Sequence, residues 1–266
     1  MNIIFFDIDG TLITEDNYMI IPESTVKALK MTREKGNITF INTGRTKFNV
    51  SKKIRSLGFD GIICGCGTYI EYKGEVLEYA SLSQDLCRKI ADIMRKCRVV
   101  PVYEHKDGYF FDEKAETSQD LEHFKEFFVE DGIRTDRQAD DPNFIFDKFV
   151  IWETENSDMN LFRKETEKYF RIIDRGNGFF ENVPIGYSKA TAIDKILKIL
   201  NIPKENAYAI GDSTNDLPML KAVPNSIAMG GAEKLYPYVS YITDPILDDG
   251  LYNALEHFKL IDLLRK

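Results

Sequence analysis

The first eleven residues constrain the fold more than any other stretch of the chain. An apolar run, Ile3–Phe6, ends abruptly at the sequence Asp7-Ile8-Asp9-Gly10-Thr11. A short unbroken apolar run closed by glycine is typical of a strand buried on both faces of a parallel sheet. Open α/β sheets bind ligands beyond the carboxyl ends of their strands, so the two acids lie where a ligand crevice is expected.

The spacing of these acids suggests chemistry. Asp7 and Asp9 are two positions apart, so an extended backbone places both side chains on one side. Gly10 allows a sharp turn and a close approach of a ligand to the backbone. Neighbouring carboxylates repel each other unless a cation, a shared proton or a phosphate-bound metal lies between them. The motif alone also fits a simple strand end and turn, because Asp and Gly are common turn residues.

Composition excludes several classes of partner. The 266 residues, 43% of them hydrophobic, can form one large or two modest domains with a core. A net charge of -8 argues against nucleic-acid or anionic-membrane binding, which requires a basic face. The N-terminal apolar run is too short for a signal peptide or a membrane span. We therefore expect a cytoplasmic protein, either a monomer or a weak dimer, that binds no nucleic acid and no membrane.

The four cysteines do not form a metal-binding pattern. Cys64 and Cys66 flank a single glycine, and Cys87 and Cys97 are ten positions apart on a predicted helix. A zinc site would need paired ligands with a two-residue spacer. We predict buried free thiols.

Short apolar segments alternate with helical patterns in two separate parts of the chain. Strands are predicted over 3–6, 38–41, 62–63, 207–210 and 226–229, with helices between them. This alternation predicts right-handed crossovers in a parallel sheet. We therefore predict an α/β fold with a Rossmann-like doubly wound core formed by residues 1–81 and 182–266.

The segment between these two parts has a different character. Helices and hairpins mix there with many aromatic residues, and the pattern over 144–153 predicts one long strand. The mixture indicates an inserted α+β domain, residues 82–181, with helices on one face of its sheet. Lys148 is a polar residue within the long aromatic strand, so it is a candidate for contact with a substrate.

Polar side chains follow three of the predicted core strands. The carboxyl ends of parallel strands meet at one edge, so these groups and one lysine are expected to form a common cup. Its members are Asp7, Asp9, Thr43, Arg45, Lys189, Asp212, Asn215 and Asp216. Four carboxylates, a hydroxyl, an amide and two cations at one edge indicate a catalytic site more readily than chance turns do.

Such a cup suits phosphoryl transfer, which depends mainly on positioning and charge neutralisation. Carboxylate oxygens are the ligands that Mg²⁺ prefers. One carboxylate can attack phosphorus to form an aspartyl-phosphate, and a second can protonate the leaving alcohol and then activate water. A hydroxyl and an ammonium can bind the phosphoryl oxygens as charge develops.

Four segments of the chain resemble the four motifs of the haloacid dehalogenase-like (HAD) hydrolase superfamily. They are Asp7-Ile8-Asp9-Gly10-Thr11, Asn42-Thr43-Gly44-Arg45, Ser188-Lys189-Ala190 and Gly211-Asp212-Ser213-Thr214-Asn215-Asp216. Their order and spacing, with an insert between the second and third, resemble the Cof-type subfamily with a C2-type cap. Two positions depart from that pattern, since Cys66 stands where the family often has Asn and Ala190 where it usually has Gly.

The resemblance implies a role for each matched residue. Asp7 would be the nucleophile and Asp9 the general acid and base. Phosphate binding would fall to a group of four residues, namely Thr43, Gly44, Lys189 and Asn215. Mg²⁺ would be held by Asp7, Asp212, Asp216 and the backbone carbonyl of Asp9. Arg45 is a further candidate for substrate contact, and the insert would be a lid that covers and selects the substrate.

We therefore expect a Mg²⁺-dependent phosphatase that hydrolyses a small phosphorylated metabolite, such as a sugar phosphate, through an aspartyl-phosphate. Two alternatives stay open. A sugar phosphomutase or phosphotransferase on the same core would pass the phosphoryl group to a second hydroxyl and yield an isomer without free phosphate. A non-catalytic phosphosugar-binding protein would bind its ligand tightly without turnover.

Overall fold

Two β-sheets organise the part of the chain that the computed structural model describes, residues 1–16, 18–80, 82–130 and 135–262. The strands, in chain order, are β1 (Ile3–Phe6), β2 (Ile38–Asn42), β3 (Gly61–Cys64), β4 (Tyr69–Tyr72), β5 (Glu75–Tyr79), β6 (Val100–His105), β7 (Gly108–Phe110), β8 (Lys148–Trp152), β9 (Phe170–Asp174), β10 (Phe179–Pro184), β11 (Ala207–Gly211), β12 (Asn225–Ala228) and β13 (Tyr241–Ile242). The α-helices are α1 (Glu23–Glu34), α2 (Lys52–Arg55), α3 (Gln84–Cys97), α4 (Gln119–Glu130), α5 (Met159–Thr166), α6 (Lys189–Leu200), α7 (Leu217–Ala222) and α8 (Gly250–His257).

The larger sheet has the order β13-β12-β11-β1-β2-β3-β4-β5. Its strands from β13 to β3 pair in parallel, and β4 turns back antiparallel to β3. A helix lies between successive parallel strands along the chain, and the one between β12 and β13 is a 3₁₀ helix, Glu233–Tyr238. The predicted α/β fold with a mostly parallel sheet is confirmed.

Strand β1 lies at the centre of this sheet and has no exposed side chain, with all four residues at 0% exposure. Ile3 and Phe5 join an apolar cluster with Ile193 of α6 and Met219 of α7. Burying an aliphatic or aromatic side chain contributes roughly 1.5–3 kcal/mol each, so the apolar run fixes this strand firmly.

The registers of β1 align three strand ends at one edge of the sheet. Phe6 lies opposite Ile41 of β2 and opposite Ile210 of β11. The residues that follow these three strands therefore emerge side by side, as the sequence predicts for its polar clusters.

The chain divides into two compact units. The first, the core unit, consists of Met1–Arg45, Val50–Glu78 and Ser188–Lys266. The second, the inserted unit, consists of Thr46–Asn49 and Tyr79–Tyr187. Of the two predicted boundaries, residue 81 lies outside the described residues and residue 182 falls within β10. Strand β10 was not predicted, because its Glu-Asn-Val-Pro sequence is typical of a loop.

The inserted unit is an antiparallel sheet of order β7-β6-β8-β10-β9 with helices packed against it. Its apolar core includes residues of α3 and α5 together with Tyr103, Phe149 and Ile151. The predicted strand over 144–153 is too long, since β8 covers Lys148–Trp152 alone. Phe144 and Phe146 are nevertheless fully buried, with ring centroids 5.0 Å from that of Tyr103, so apolar alternation continues beyond the paired backbone.

A row of charged side chains is buried in the inserted unit. The Lys148 ammonium lies 3.2 Å from a carboxylate oxygen of Glu104 and 2.5 Å from one of Glu181, and each of these side chains is at most 7% exposed. Arg175 forms a further ion pair with Glu181. Burial raises the pKa of Glu104. Burial acts in the same direction on Glu181, but the charges of Lys148 and Arg175 outweigh it and lower that pKa to about 2.

Cys64, Cys66, Cys87 and Cys97 are free and buried, as predicted. Within the described residues, no helix has the length and apolar character that crossing a membrane requires.

We expect Lys148→Met to destabilise the protein by about 3–5 kcal/mol, because it leaves Glu104 and Glu181 buried without this cation. The matched control is Lys168→Met, which removes an exposed lysine paired with Glu165; we expect it to cost less than about 1 kcal/mol. Urea unfolding followed by circular dichroism at neutral pH measures both. Equal stability of the two variants would contradict a structural role for the buried row.

Candidate active site

Asp7 stands at the end of β1, at the centre of the sheet edge. Its backbone N–H donates a hydrogen bond to the carbonyl of Ile210, 3.0 Å away, so the residue is fixed to β11. Asp7 is 3% exposed. Its Oδ1 accepts a hydrogen bond of 2.6 Å from Nζ of Lys189.

Lys189 joins two carboxylates from different strand ends. Its ammonium also donates to Oδ1 of Asp216 at 2.6 Å, and the side chain is 2% exposed. Burial acts to lower the pKa of Lys189, but the charges of Asp216 and Asp7 outweigh burial and raise it, so the side chain stays cationic. The side chain therefore serves as a fixed positive charge.

Lys189 is held in place by the start of its own helix and by β2. Helix α6 begins with a capping box in which Ser188 and Thr191 exchange hydrogen bonds. Nδ2 of Asn42, the last residue of β2, donates to the Lys189 carbonyl at 3.0 Å. This role of Asn42 was not predicted from the sequence, although a polar residue at the end of a buried strand was an available signal.

Asp212 and Asp216 belong to the turn after β11. Oδ2 of Asp216 accepts hydrogen bonds from the N–H groups of Asp212 at 3.1 Å and Ser213 at 3.2 Å, and Asp216 is 0% exposed. Thr11 donates its hydroxyl to Oδ1 of Asp212 at 3.3 Å. The turn thus places the Asp216 carboxylate against Lys189 and the Asp212 carboxylate beside Thr11.

Three of the predicted metal ligands come together. Asp7, Asp212 and Asp216 each offer a carboxylate oxygen, and these atoms lie within 4.8 Å of one another. One ammonium cannot balance three carboxylates. Burial, followed by the charge of Asp216, raises the pKa of Asp7 to about 7 and that of Asp212 to about 8. An all-oxygen set with excess negative charge fits a hard divalent cation such as Mg²⁺.

Two glycines make this close packing possible. A Cβ atom on Gly10 would lie 2.2 Å from Oδ2 of Asp212, and the φ of Gly10 is +72°. A Cβ atom on Gly211 would lie 2.6 Å from Cγ of Asp216. Each glycine therefore lets its backbone lie against a carboxylate of the cluster. For Gly10 the neighbour is a side chain of the protein, whereas the sequence predicted a ligand there.

The loop after β2 is tied to the turn after β3. The Thr43 N–H donates to Ile63 at 2.9 Å, and the Cys66 N–H donates to the Thr43 carbonyl at 3.0 Å. Cys66 adopts a left-handed conformation with φ 55°. Asn tolerates this conformation well, so the backbone at Cys66 has a shape that the Asn of the family pattern could also adopt. Thr43 is 1% exposed, while Gly44 is partly exposed. Their predicted contacts with phosphate stay predictions.

Asp9 and Arg45 face each other across the ends of β1 and β2. Nε of Arg45 donates to Oδ2 of Asp9 at 2.9 Å, and a terminal guanidinium nitrogen donates to Oδ1. The Asp9 carboxylate is therefore separate from the cluster of three, and its predicted metal contact involves its backbone carbonyl. The sequence predicts Arg45 as a substrate contact, although the opposite charges of Asp9 and Arg45 at adjacent strand ends could have indicated the pair.

The two remaining candidates differ in position. Asn215 lies in the core unit, is partly exposed and accepts a hydrogen bond from the Ser213 hydroxyl. Lys148 belongs to the inserted unit, where Glu104 and Glu181 bind its ammonium. A role for Lys148 toward a substrate stays a prediction, and the contacts described here are those of a structural counterion.

Comparison with known proteins identifies the family. A model of the haloacid dehalogenase-like hydrolases matches residues 4–255, so this chain belongs to that family, as its motifs predicted. It is accordingly a phosphatase of the haloacid dehalogenase-like class.

Its relatives match over nearly the whole chain. YkrA of Bacillus subtilis (strain 168) is 28% identical over 267 residues, which cover 97% of this chain and 98% of YkrA. YcsE of the same organism, named as a 5-amino-6-(5-phospho-D-ribitylamino)uracil phosphatase, is 27% identical over 263 residues, 98% of this chain and 96% of YcsE. The structure of BT4131, described as a HAD subclass IIB sugar phosphatase, superimposes with a TM-score of 0.80 at 26% identity, covering 98% of this chain and 100% of BT4131.

We expect Gly10→Ala to lower phosphatase activity about 100-fold, because the new methyl group displaces the Asp212 carboxylate and misplacing such a group is costly. The matched control is Gly74→Ala. Gly74 has a similar φ of +83° but no atom within 4 Å of its Cβ position, so it carries the same backbone strain without the clash. Phosphate release and circular dichroism are measured for both. Equal activities would show that the contact with Asp212 is unimportant.

Proposed function

We propose that this chain is a Mg²⁺-dependent phosphatase that hydrolyses a small phosphorylated metabolite through an aspartyl-phosphate on Asp7. One observation carries the proposal, namely the buried Lys189 ammonium bound by Asp7 and Asp216 beside Asp212. A structural ion pair needs one carboxylate for each cation. The surplus of acids at a sheet edge, with the raised pKa values of Asp7 and Asp212, supports a site for a cation and an anionic phosphate.

The hydrogen bonds favour Asp7 as the nucleophile among the three clustered acids. Both oxygens of Asp216 are occupied, Oδ1 by Lys189 and Oδ2 by two backbone N–H groups. Oδ1 of Asp212 accepts from Thr11, and its Oδ2 lies against Gly10. Within the described part of the chain, the side-chain hydrogen bond of Asp7 involves Oδ1, so Oδ2 is the oxygen available to attack phosphorus.

Asp7, Asp212 and Asp216 would hold Mg²⁺, together with the backbone carbonyl of Asp9. The ion would neutralise charge on the phosphoryl group and so allow one anion to approach another.

The residues of the chain then divide the reaction into two steps. In the first step, Asp7 forms a bond to phosphorus, the ester bond to the alcohol breaks, and Asp9 gives its proton to the leaving oxygen. In the second step, Asp9 takes a proton from water, the water oxygen bonds to phosphorus, and the bond to Asp7 breaks. Lys189 and the Thr43 hydroxyl donate hydrogen bonds to the phosphoryl oxygens in both steps. Gly44 and Asn215 would add contacts to the same oxygens.

The names of the relatives support a polyhydroxy substrate. YcsE is named for a phosphorylated ribityl compound, and BT4131 is described as a sugar phosphatase. Both names describe a phosphate ester on a chain or ring that carries several hydroxyl groups. We propose a sugar phosphate or a related polyol phosphate as the substrate class for this chain.

Phosphate release from a panel of sugar phosphates, polyol phosphates, nucleotides and an aryl phosphate tests the proposal. We expect release to require Mg²⁺, to stop with chelator, and to fall to the background rate in Asp7→Asn, which keeps the shape of the carboxylate but cannot attack. Asp194→Asn, on the exposed side of α6, is the control and should keep full activity.

Activity in Asp7→Asn would contradict the nucleophile. An isomeric product without free phosphate would favour the mutase alternative, and tight ligand binding without turnover would favour the binding protein.

A further inference from the structure

Asp9 is held by a planar cation rather than by solvent alone. Arg45 reaches both of its carboxylate oxygens, with Nε donating to Oδ2 at 2.9 Å and a terminal nitrogen donating to Oδ1. A guanidinium bound through two nitrogens fixes the plane of a carboxylate, which a single ammonium cannot do. The contact therefore restricts the direction in which Asp9 can exchange a proton.

The backbone of Arg45 is fixed on both sides. Its N–H donates to Oγ1 of Thr43 at 3.1 Å, and its carbonyl accepts from the Gly65 N–H at 2.8 Å. The guanidinium therefore extends from a loop whose backbone is held by hydrogen bonds. The same loop carries the Thr43 hydroxyl, which is predicted to bind phosphate. A side chain anchored at its base and bound at its tip loses little further freedom when the reaction occurs.

The backbone of Asp9 is likewise set by its own turn. The Gly10 N–H donates to Ile13, and the Leu12 N–H donates to Ile8, each at 2.8 Å. The side chain of Asp9 is 39% exposed, whereas that of Asp7 is 5% exposed. Packing fixes Asp7, but it leaves the Asp9 side chain free to rotate unless another group holds it.

We propose that Arg45 is a positioning residue that acts on the reaction through Asp9 and does not bind the substrate itself. The inference rests on the proposed function, in which Asp9 must serve first as acid and then as base at one location. When Asp9 takes a proton from water, one oxygen accepts it while the other keeps its hydrogen bond to Arg45. The same contact returns the carboxylate to its position between the two steps.

A double-mutant cycle tests this role with Arg45→Ala, Asp9→Asn and the double variant, on the best sugar phosphate of the panel. We expect Arg45→Ala to lower kcat about 10–100-fold with KM little changed, because a misplaced catalytic group slows the chemistry. In the Asp9→Asn background, the same substitution should change kcat by less than about twofold, since residues that act as a unit are not additive. Arg55→Ala, an exposed arginine of α2, is the control and should match the wild type.

Two further readouts separate positioning from a general structural effect. Guanidinium ion added to Arg45→Ala should restore part of kcat, while sodium at equal ionic strength should not. The leaving group of p-nitrophenyl phosphate needs little protonation. In Arg45→Ala, quench-flow with this substrate should therefore show a normal initial burst of nitrophenolate, from the first step, and a slower later phase, from hydrolysis of the aspartyl-phosphate. A loss of fold would slow both phases and resist rescue.

Two results would overturn the positioning role and assign Arg45 to the substrate. One is a kcat loss in the double variant equal to the product of the two single losses, and the other is a large rise in KM for Arg45→Ala. A wild-type protein that releases no phosphate from any compound would contradict the proposed function itself. The two failures are therefore distinguishable.

Discussion

The site depends on a single buried cation that ties three segments of the chain together. Lys189 begins α6, yet its ammonium binds Asp7 from β1 and Asp216 from the turn after β11 at 2.6 Å each. Removing such a cation from a buried group of acids costs several kcal/mol, because the remaining charges repel in a poorly hydrated environment. In the proposed mechanism, the same contact binds Oδ1 of Asp7 and leaves Oδ2 for the attack on phosphorus. The stability of the site and its proposed chemistry thus depend on one interaction.

Much of the core and most of the site could be predicted from the sequence. The run Ile3–Phe6 has an unbroken apolar pattern that is typical of a strand buried on both faces, and strand geometry places the polar residues after it at the sheet edge. Parallel pairing then brings the ends of β1, β2 and β11 to one edge without knowledge of any side-chain contact. The polar cluster after each strand also fits a simple turn, but together the clusters indicate a site, because topology places three of the four motifs at the same edge.

The partners of individual side chains were harder to predict from the sequence than the positions of the strands. Arg45 is a candidate for substrate contact from its place in the cup of polar residues, and Lys148 because it is a polar residue within an aromatic strand. The structure places a carboxylate against each of them, Asp9 for Arg45 and Glu104 with Glu181 for Lys148. Strand β10 was missed for a related reason. Its buried Glu181 is polar in sequence and becomes compatible with a strand only when its ion pairs are known.

The most direct test of the central claim is to identify the carboxylate that carries the phosphoryl group. Asp9→Asn removes the base of the second step, so the covalent intermediate should accumulate from an aryl phosphate in the presence of Mg²⁺. Acid quenching and borohydride reduction convert an aspartyl-phosphate to homoserine, and peptide mass spectrometry locates it. We predict homoserine in place of Asp7 alone. Homoserine in place of Asp212 or Asp216, or unmodified aspartates throughout during turnover, would contradict it.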